Sequence, residues 1–372
     1  MIVDSTEGLV GVNLLWCRPG AVGGSEEYLV RQLIGVANHG FRARLFAPKG
    51  FTAAHPRLVE LHDVVESRHD SSSRGRRIVT ESTWLRRRTR RLDAVHHGGG
   101  TLPARRVDPT VLTIHDLQYR KYPQYFSRAR RTYLEAVMPR SARRATLITV
   151  PTHYVKTTVV DAFGVDPLRV VVVPHGVDDT LNSDCTPGDE LRHRFSLGDG
   201  PIVVYPAVTH PHKNHEFLID VADRHWSHLG VRLVLMGGAG AADQAVRRRL
   251  LEPRVADAVI HVGRVSDADR NGLIRTAQAV AFPSEYEGFG APVIEAMQLG
   301  TPVVASDQAC LPEVVGDAGL VLALQEDLWA GLPDLVRTRR TDLVQRGIER
   351  VRDYSIDESG RALADAYRMV LP

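Results

Sequence analysis

The residues best equipped for chemistry stand in one string, Pro283-Ser284-Glu285-Tyr286-Glu287-Gly288-Phe289-Gly290-Ala291-Pro292-Val293-Ile294-Glu295-Ala296-Met297. It follows an apolar run that reads as a strand, and Pro292 suits the first turn of a helix starting beside it. Glu287 belongs to the loop, whereas Glu295, eight positions on, lies about a turn into the helix. Gly288 and Gly290 between them leave backbone N–H groups bare at a helix start, where anionic or hydroxyl-rich ligands bind. Two carboxylates that only accept hydrogen bonds then meet one ligand at two depths. The plainer alternative is that both glutamates serve the helix dipole. A second string, Tyr205-Pro206-Ala207-Val208-Thr209-His210-Pro211-His212-Lys213-Asn214-His215, follows another strand and carries Lys213, a phosphate cation or a solvated loop lysine. In the first half, Thr113-Ile114-His115-Asp116-Leu117 sets an imidazole at a strand's carboxyl end, where the alternative is a satisfied buried histidine. Gly23-Gly24-Ser25-Glu26 links the first strand to the first helix, and two glycines there let backbone approach a phosphate.

Such groups converge only if a frame brings strand ends together. Short apolar runs alternate with longer amphipathic segments, the pattern of βα units in a parallel sheet. In the first half, strands are expected at Val10–Trp16, Arg42–Phe46, Ala94–His97, Thr110–Ile114, Leu147–Val150 and Val170–Val173, with a helix over Glu26–Asn38. Between Gly176 and Pro201 the chain turns rich in Asp, Gly, Pro and Thr, which marks a domain connection. The rhythm then restarts at Ile202–Pro206, Arg232–Met236, Val259–Val262, Ala279–Phe282 and Pro302–Ala305, and the end from about Leu343 is helical. Two doubly wound α/β domains follow, with ligands expected at the carboxyl ends of strands and a cleft between the halves as the default site.

The 283–297 string resembles the E-x7-E element of retaining glycosyltransferases of the GT-B fold, family four, and the resemblance spans nearly the whole chain, most specifically Ile202 to Leu320. It implies two Rossmann-like domains facing across a cleft. Residues 1–178 form the acceptor side and 179–345 bind the nucleotide sugar, while 346–372 pack back toward the N-terminal domain. It implies that Glu295 binds the donor ribose, that Glu287 faces the sugar, and that Gly288, Phe289 and Gly290 offer N–H groups to sugar hydroxyls. Lys213 would neutralise the departing diphosphate. Family members carry an Arg five or six residues before this lysine. Val208 and Ala207 stand there instead, and Arg264 is a candidate replacement that reads equally well as surface charge. Gly23 and Gly24 would meet the diphosphate from across the cleft. His115 would contact the sugar and orient the acceptor, with Asp116 steadying it. Tyr119, in an aromatic loop, and His97, before three glycines, would line the acceptor side, though a tight turn explains His97 as well.

The implied activity is retaining transfer of a hexose from a nucleotide diphosphate sugar to a hydroxyl of a glycan, lipid-linked or small-molecule acceptor. His115, Lys213 and Glu287 would carry the catalysis, with no cofactor and no metal. The Thr209–His215 and His115–Tyr119 strings look like actinobacterial-type mannosyltransferases, which favours GDP-mannose; UDP-glucose and UDP-GlcNAc are the alternative donors. A UDP-sugar hydrolase or epimerase is the nearest rival. An NAD-linked dehydrogenase would want G-x-G-x-x-G, yet the chain reads Gly20-Ala21-Val22-Gly23-Gly24. A non-catalytic scaffold should have lost Glu287, Glu295, Lys213 or His115. The Asp267-Ala268-Asp269 triplet follows Ser266 and reads as helix capping rather than a metal site.

Bulk properties fit this reading. The chain has 372 residues, 43% hydrophobic and 24% charged, enough for two soluble domains. A net charge of +3 gives no reason to expect nucleic acid. The arginines are uneven, however, crowding residues 74–91 and 128–144, as a solvated face or as a contact for an anionic membrane or acceptor. Three scattered cysteines and an acidic residue at position 4 lead to an expected cytoplasmic location, peripheral at most to the inner face of the plasma membrane.

Overall fold

The computed structural model describes residues 8–18, 24–70 and 72–372. They form two compact units: the chain up to Gly176 together with Tyr354–Pro372, and Val177–Asp353. The first unit holds β1 (Val10–Asn13), β2 (Arg44–Ala47), β3 (Asp63–Glu66), β4 (Ala94–His97), β5 (Thr110–Thr113), β6 (Leu147–Val150) and β7 (Val170–Val172). All pair in parallel, in the order β3-β2-β1-β4-β5-β6-β7. The second holds β8 (Ile202–Pro206), β9 (Arg232–Met236), β10 (Val259–Gly263), β11 (Ala279–Phe282), β12 (Val303–Ser306) and β13 (Leu320–Leu322). They too are parallel, in the order β10-β9-β8-β11-β12-β13. Each sheet therefore reverses its winding once, between β1 and β4 and between β8 and β11. A doubly wound sheet opens a crevice at that reversal, outside the strands' carboxyl ends.

Side chains alternate across each sheet, so neighbours in sequence feed separate cores. Val111 and Leu147 join a cluster with Leu29, Leu33 and Val36 of the helix Gly24–Asn38, while Leu112 and Ile148 join another with Val155, Val159 and Phe163. Burial on both faces makes these strands continuous apolar runs, which is why they are legible in sequence. The two strands that sequence reading misses, β3 and β13, are edge strands with no fully buried residue. β3 carries Asp63 and Glu66 at its ends, charges that keep an edge from pairing further.

The last helix, Ile356–Arg368, belongs to the first unit and starts on Ser355, whose hydroxyl accepts from the Glu358 N–H. It lies against Gly24–Asn38 at nearly backbone contact. A Cβ on Gly360 would stand 2.1 Å from the carbonyl carbon of Gly35, so glycine is required there for lack of space. Tyr367 on this helix hydrogen-bonds His96 Nδ1 at 2.9 Å.

Candidate active site

In the second unit the chemistry gathers at the β8/β11 reversal. The loop after β8 makes a tight turn at Pro211–Lys213, and Asn214 follows with φ 57°, a left-handed conformation that asparagine tolerates better than most residues. The loop after β11 runs through Glu285 to Gly290, whose φ of 90° opens the helix Ala291–Gln298. Tyr205 at the end of β8 ties the loops together: its hydroxyl donates to the Lys213 carbonyl at 2.7 Å and lies 3.2 Å from Ser284 Oγ. The Glu285 N–H donates to the His212 carbonyl at 2.8 Å, and Ser306 Oγ to the Ser284 carbonyl at 2.5 Å. Two loops some seventy residues apart in sequence are thus one construction.

Its product is a single contact. Lys213 Nζ lies 2.5 Å from Glu287 Oε1, with the two side chains only 16% and 11% exposed. The ammonium also sits 5.3 Å from the Phe282 ring centroid, on an aromatic face that favours a cation. A low-dielectric wall behind a fixed charge strengthens its field toward any ligand in the crevice. His212 is beside it; burial lowers its imidazole to about 4 against the counter-pull of Glu287, so it is neutral at pH 7.

Glu295 is on the helix, 5% exposed, with Arg270 Nη1 at 3.5 Å from its carboxylate. Cys310 orders the intervening loop: its thiol contacts the carbonyls of Glu287 at 3.2 Å and Phe289 at 3.3 Å. A trans peptide points C=O and the next N–H in opposite directions, so the N–H groups of Gly288 and Gly290 face away from Cys310. Burial, reinforced by Glu287, pushes the Cys310 thiol up and keeps it un-ionised. Arg264 stands past the end of β10, the edge strand two places from β8. Val208 and Ala207 leave the β8 loop without a second cation. Ser266 caps the helix Asp267–Thr276 by accepting from the Asp269 N–H, and the Asp269 carboxylate is taken up by Thr186 and Arg194.

The first unit has its own constellation at the ends of β4 and β5. His115 Nε2 donates to the Gly98 carbonyl at 2.8 Å, which leaves Nδ1 as the acceptor of a neutral ring. Its ring meets Trp16 at 5.8 Å and the edge of Tyr28 at 5.3 Å, and burial holds it at about 4. Tyr28 in turn packs on His175 at 4.1 Å and donates to the Val173 carbonyl at 2.7 Å. Asp116 accepts from the Gln118 N–H at 2.8 Å, which turns the loop after His115. His97 is 2% exposed, with Nδ1 at 3.2 Å from the Asn13 amide and its buried Nε2 without a hydrogen-bond partner among the described residues. Asn13 also donates to Glu81, whose carboxyl burial pushes up.

Lys213 and Glu287 are thus in direct contact, and Glu295 is on the helix that the Glu287 loop feeds. Gly24 opens the first unit's helix, while Gly23 lies outside the described residues. Tyr119 departs from the expected acceptor-lining place. It is packed into the core with Leu117, Phe126 and Met138, because the segment after Asp116 coils into a short helix that turns it inward. Sequence reasoning missed Arg270, Cys310, Tyr205 and Trp16. Only Tyr205, a polar aromatic at a strand's carboxyl end, carried a local signal.

Comparison with known proteins gives a consistent answer. A family model described as "Glycosyl transferases group 1" matches residues 189–335, and one described as "Glycosyltransferase Family 4" matches residues 22–181. The chain is 30% identical over 359 residues to the D-inositol 3-phosphate glycosyltransferase of Jonesia denitrificans, covering 84% of this chain and 82% of that one. It is 26% identical over 355 residues to O-antigen chain mannosyltransferase B of Escherichia coli, covering 90% and 84%. Among solved structures, Anabaena HepE in complex with UDP and glucose superposes with a TM-score of 0.76 at 19% identity, covering 97% of this chain and 100% of that one. Sucrose-phosphate synthase from Thermosynechococcus elongatus gives 0.75 at 20%, covering 98% and 99%.

Proposed function

The chain belongs to glycosyltransferase family 4, and from that premise we propose that it transfers mannose from GDP-mannose, with retention, to a hydroxyl of a glycan or lipid-linked acceptor. The observation that supports a nucleotide diphosphate sugar as donor is the Lys213–Glu287 contact at the β8/β11 reversal. A cation held by a carboxylate at a strand's end is poised to exchange that partner for a diphosphate. Glu287 is then released to accept from the sugar's hydroxyls, and Glu295, deeper on the helix, accepts from the ribose. The positive charge is in place before the leaving group develops its own, so it stabilises the transition state more than the ground state. A phosphate oxygen of the leaving group takes the acceptor proton, and neither a separate base nor a metal is needed. His115, neutral at pH 7, is assigned to the transferred sugar.

The mannose assignment is supported by mannosyltransferase-named relatives over most of the chain's length. UDP-glucose is the second reading, favoured by a solved structure of the same fold in complex with it. A thermal-shift panel of GDP, UDP, dTDP and ADP separates them, since a ligand at a hundred times its Kd stabilises by about 2.7 kcal/mol. GDP is expected to give the largest shift. GDP release from GDP-mannose should then depend on added acceptor and survive a chelator. A larger shift with UDP moves the donor to the second reading, and acceptor-independent turnover makes the protein a hydrolase.

A further inference from the structure

A cavity in the first unit lies away from the histidines and loops described above. It measures about 780 Å3 and lies between β2, the edge strand β3 and the helical run that begins at Arg74. Arg44 and Asp63, the first residues of β2 and β3, are at its mouth. In a parallel sheet this is the end opposite His97 and His115. The floor is apolar: Phe46 and Val65 from the strands, with Trp84 meeting Phe46 edge-on at 5.8 Å. The rim is cationic. Arg44 is offset by Asp63 at 2.5 Å, but Arg87 and Arg88 pair with no carboxylate within 4 Å among the described residues. Arg88 lies instead over the Trp84 ring at 4.7 Å, which holds its guanidinium at the opening.

The surrounding surface continues the pattern. Residues 74–91 contain eight arginines and one acid, Glu81. Glu81, Leu85 and Thr89 are four apart and turn inward, so the opposite face carries Arg76, Val79, Thr83, Arg87 and Arg90 to solvent. Glu81 is buried against Asn13 and pairs with Arg77 at 3.8 Å, on the inner side of the run and away from Arg87 and Arg88. Val79 is 62% exposed and Ile78 37%, apolar surface set among the cations. A hydrated polyanion would use the charge and gain nothing from Val79 or the aromatic floor. An anionic lipid uses both, placing its phosphate among the guanidiniums and its upper chain on apolar surface.

We propose that the groove floored by Phe46, Val65 and Trp84 and rimmed by Arg87 and Arg88 is a seat for the headgroup of an anionic phospholipid, and that the 74–91 face docks the protein on an anionic bilayer. The inference is independent of the donor and acceptor assigned above.

Flotation of the full chain with vesicles tests it. The protein should float with phosphatidylcholine–phosphatidylglycerol vesicles and stay behind with phosphatidylcholine alone. A juxtamembrane arginine contributes about fivefold to partitioning, so R87Q/R88Q should weaken binding by roughly 25-fold. R248Q/R254Q, which removes two exposed arginines of the other unit, should change nothing. Both variants should melt with the wild type, as the side chains are exposed. The proposal is overturned if the wild type ignores anionic vesicles, if the two double variants lose binding equally, or if R87Q/R88Q floats undiminished. It is also overturned if a single-stranded oligonucleotide displaces the protein from the vesicles, which would make the face a general polyanion surface.

Discussion

Replacing Lys213 with methionine keeps most of the side chain's apolar stem and removes its charge, so the effect can be worked from the geometry. At 2.5 Å the gross attraction between Lys213 and Glu287 is about 7 kcal/mol at an effective dielectric of ~20. Desolvating two largely buried ions takes back most of that, several kcal/mol per ion. What remains is the net worth of a charge-assisted hydrogen bond, about 1.5–3 kcal/mol. The second unit should lose that much in urea unfolding. E287Q should cost a similar amount, and the double variant little more than either single, giving a coupling of about 1–3 kcal/mol. Turnover should suffer far more than stability. Removing one preorganised donor to developing charge lowers kcat about 10²–10³-fold. The assay is nucleotide release with whichever nucleotide sugar stabilises the wild type most. Wild-type turnover by K213M would remove the lysine from the mechanism. A coupling of zero would mean that the ion pair does not form in solution, and the donor argument would lose its footing.

Gly290→Ala should destabilise the second unit by about 1–2 kcal/mol through its left-handed backbone, since φ is 90° and the new Cβ would stand 3.0 Å from Leu311; an unchanged urea midpoint would refute this. Gly360→Ala has no room at all and should cost about 3 kcal/mol or more by overpacking, read as a lowered melting temperature. Glu295→Gln should raise the donor KM about tenfold or more by weakening a charged hydrogen bond, with a smaller effect on kcat; equal losses in both would place the residue in the transition state instead. The His115 imidazole is depressed from 6.5 to about 4, so the unfolded chain takes up the proton first. Its contribution is therefore complete above pH 6.5 and is lost as pH falls toward 4, at about 1.4 kcal/mol per pH unit. H115Q should remove one proton's worth of that slope.

The fold was legible where burial is two-sided. Val10, Val12, Val203, Val204, Val280 and Ala281 lie in central parallel strands, and their apolar runs need no context to be recognised. β3 escaped because its two valines stand between charged residues at a half-solvated edge, and β13 because Leu320–Leu322 is an apolar run of only three residues. The first helix was found, while the close approach of Gly35 and Gly360 could not be: the two glycines are 325 positions apart, and neither has a local reason to be glycine. Tyr119 shows the converse error. An aromatic in a loop beside His115 looks like a ligand contact, but the side chain's direction depends on a short helix that four residues do not announce.

The site divides along the same line. Glu287, Gly290 and Lys213 were legible because each stands in the loop after a strand of a doubly wound sheet, where backbone groups converge, and Glu295 because a carboxylate among Val293, Ile294, Ala296 and Met297 is out of place on an apolar helix. The pairing of Lys213 with Glu287 was not, since it needs Tyr205, Ser284 and Ser306 to lash two distant loops together, and a serine in a loop carries no message on its own. Cys310 illustrates why. A lone cysteine in sequence suggested nothing beyond a reducing compartment, yet in the folded unit its thiol takes the carbonyls of Glu287 and Phe289 and so sets which way the loop's N–H groups point. Sequence reveals the groups that would touch a ligand because their chemistry is unusual for their place. The groups that aim them are ordinary residues in ordinary places, and only the three-dimensional path of the chain gives them a task.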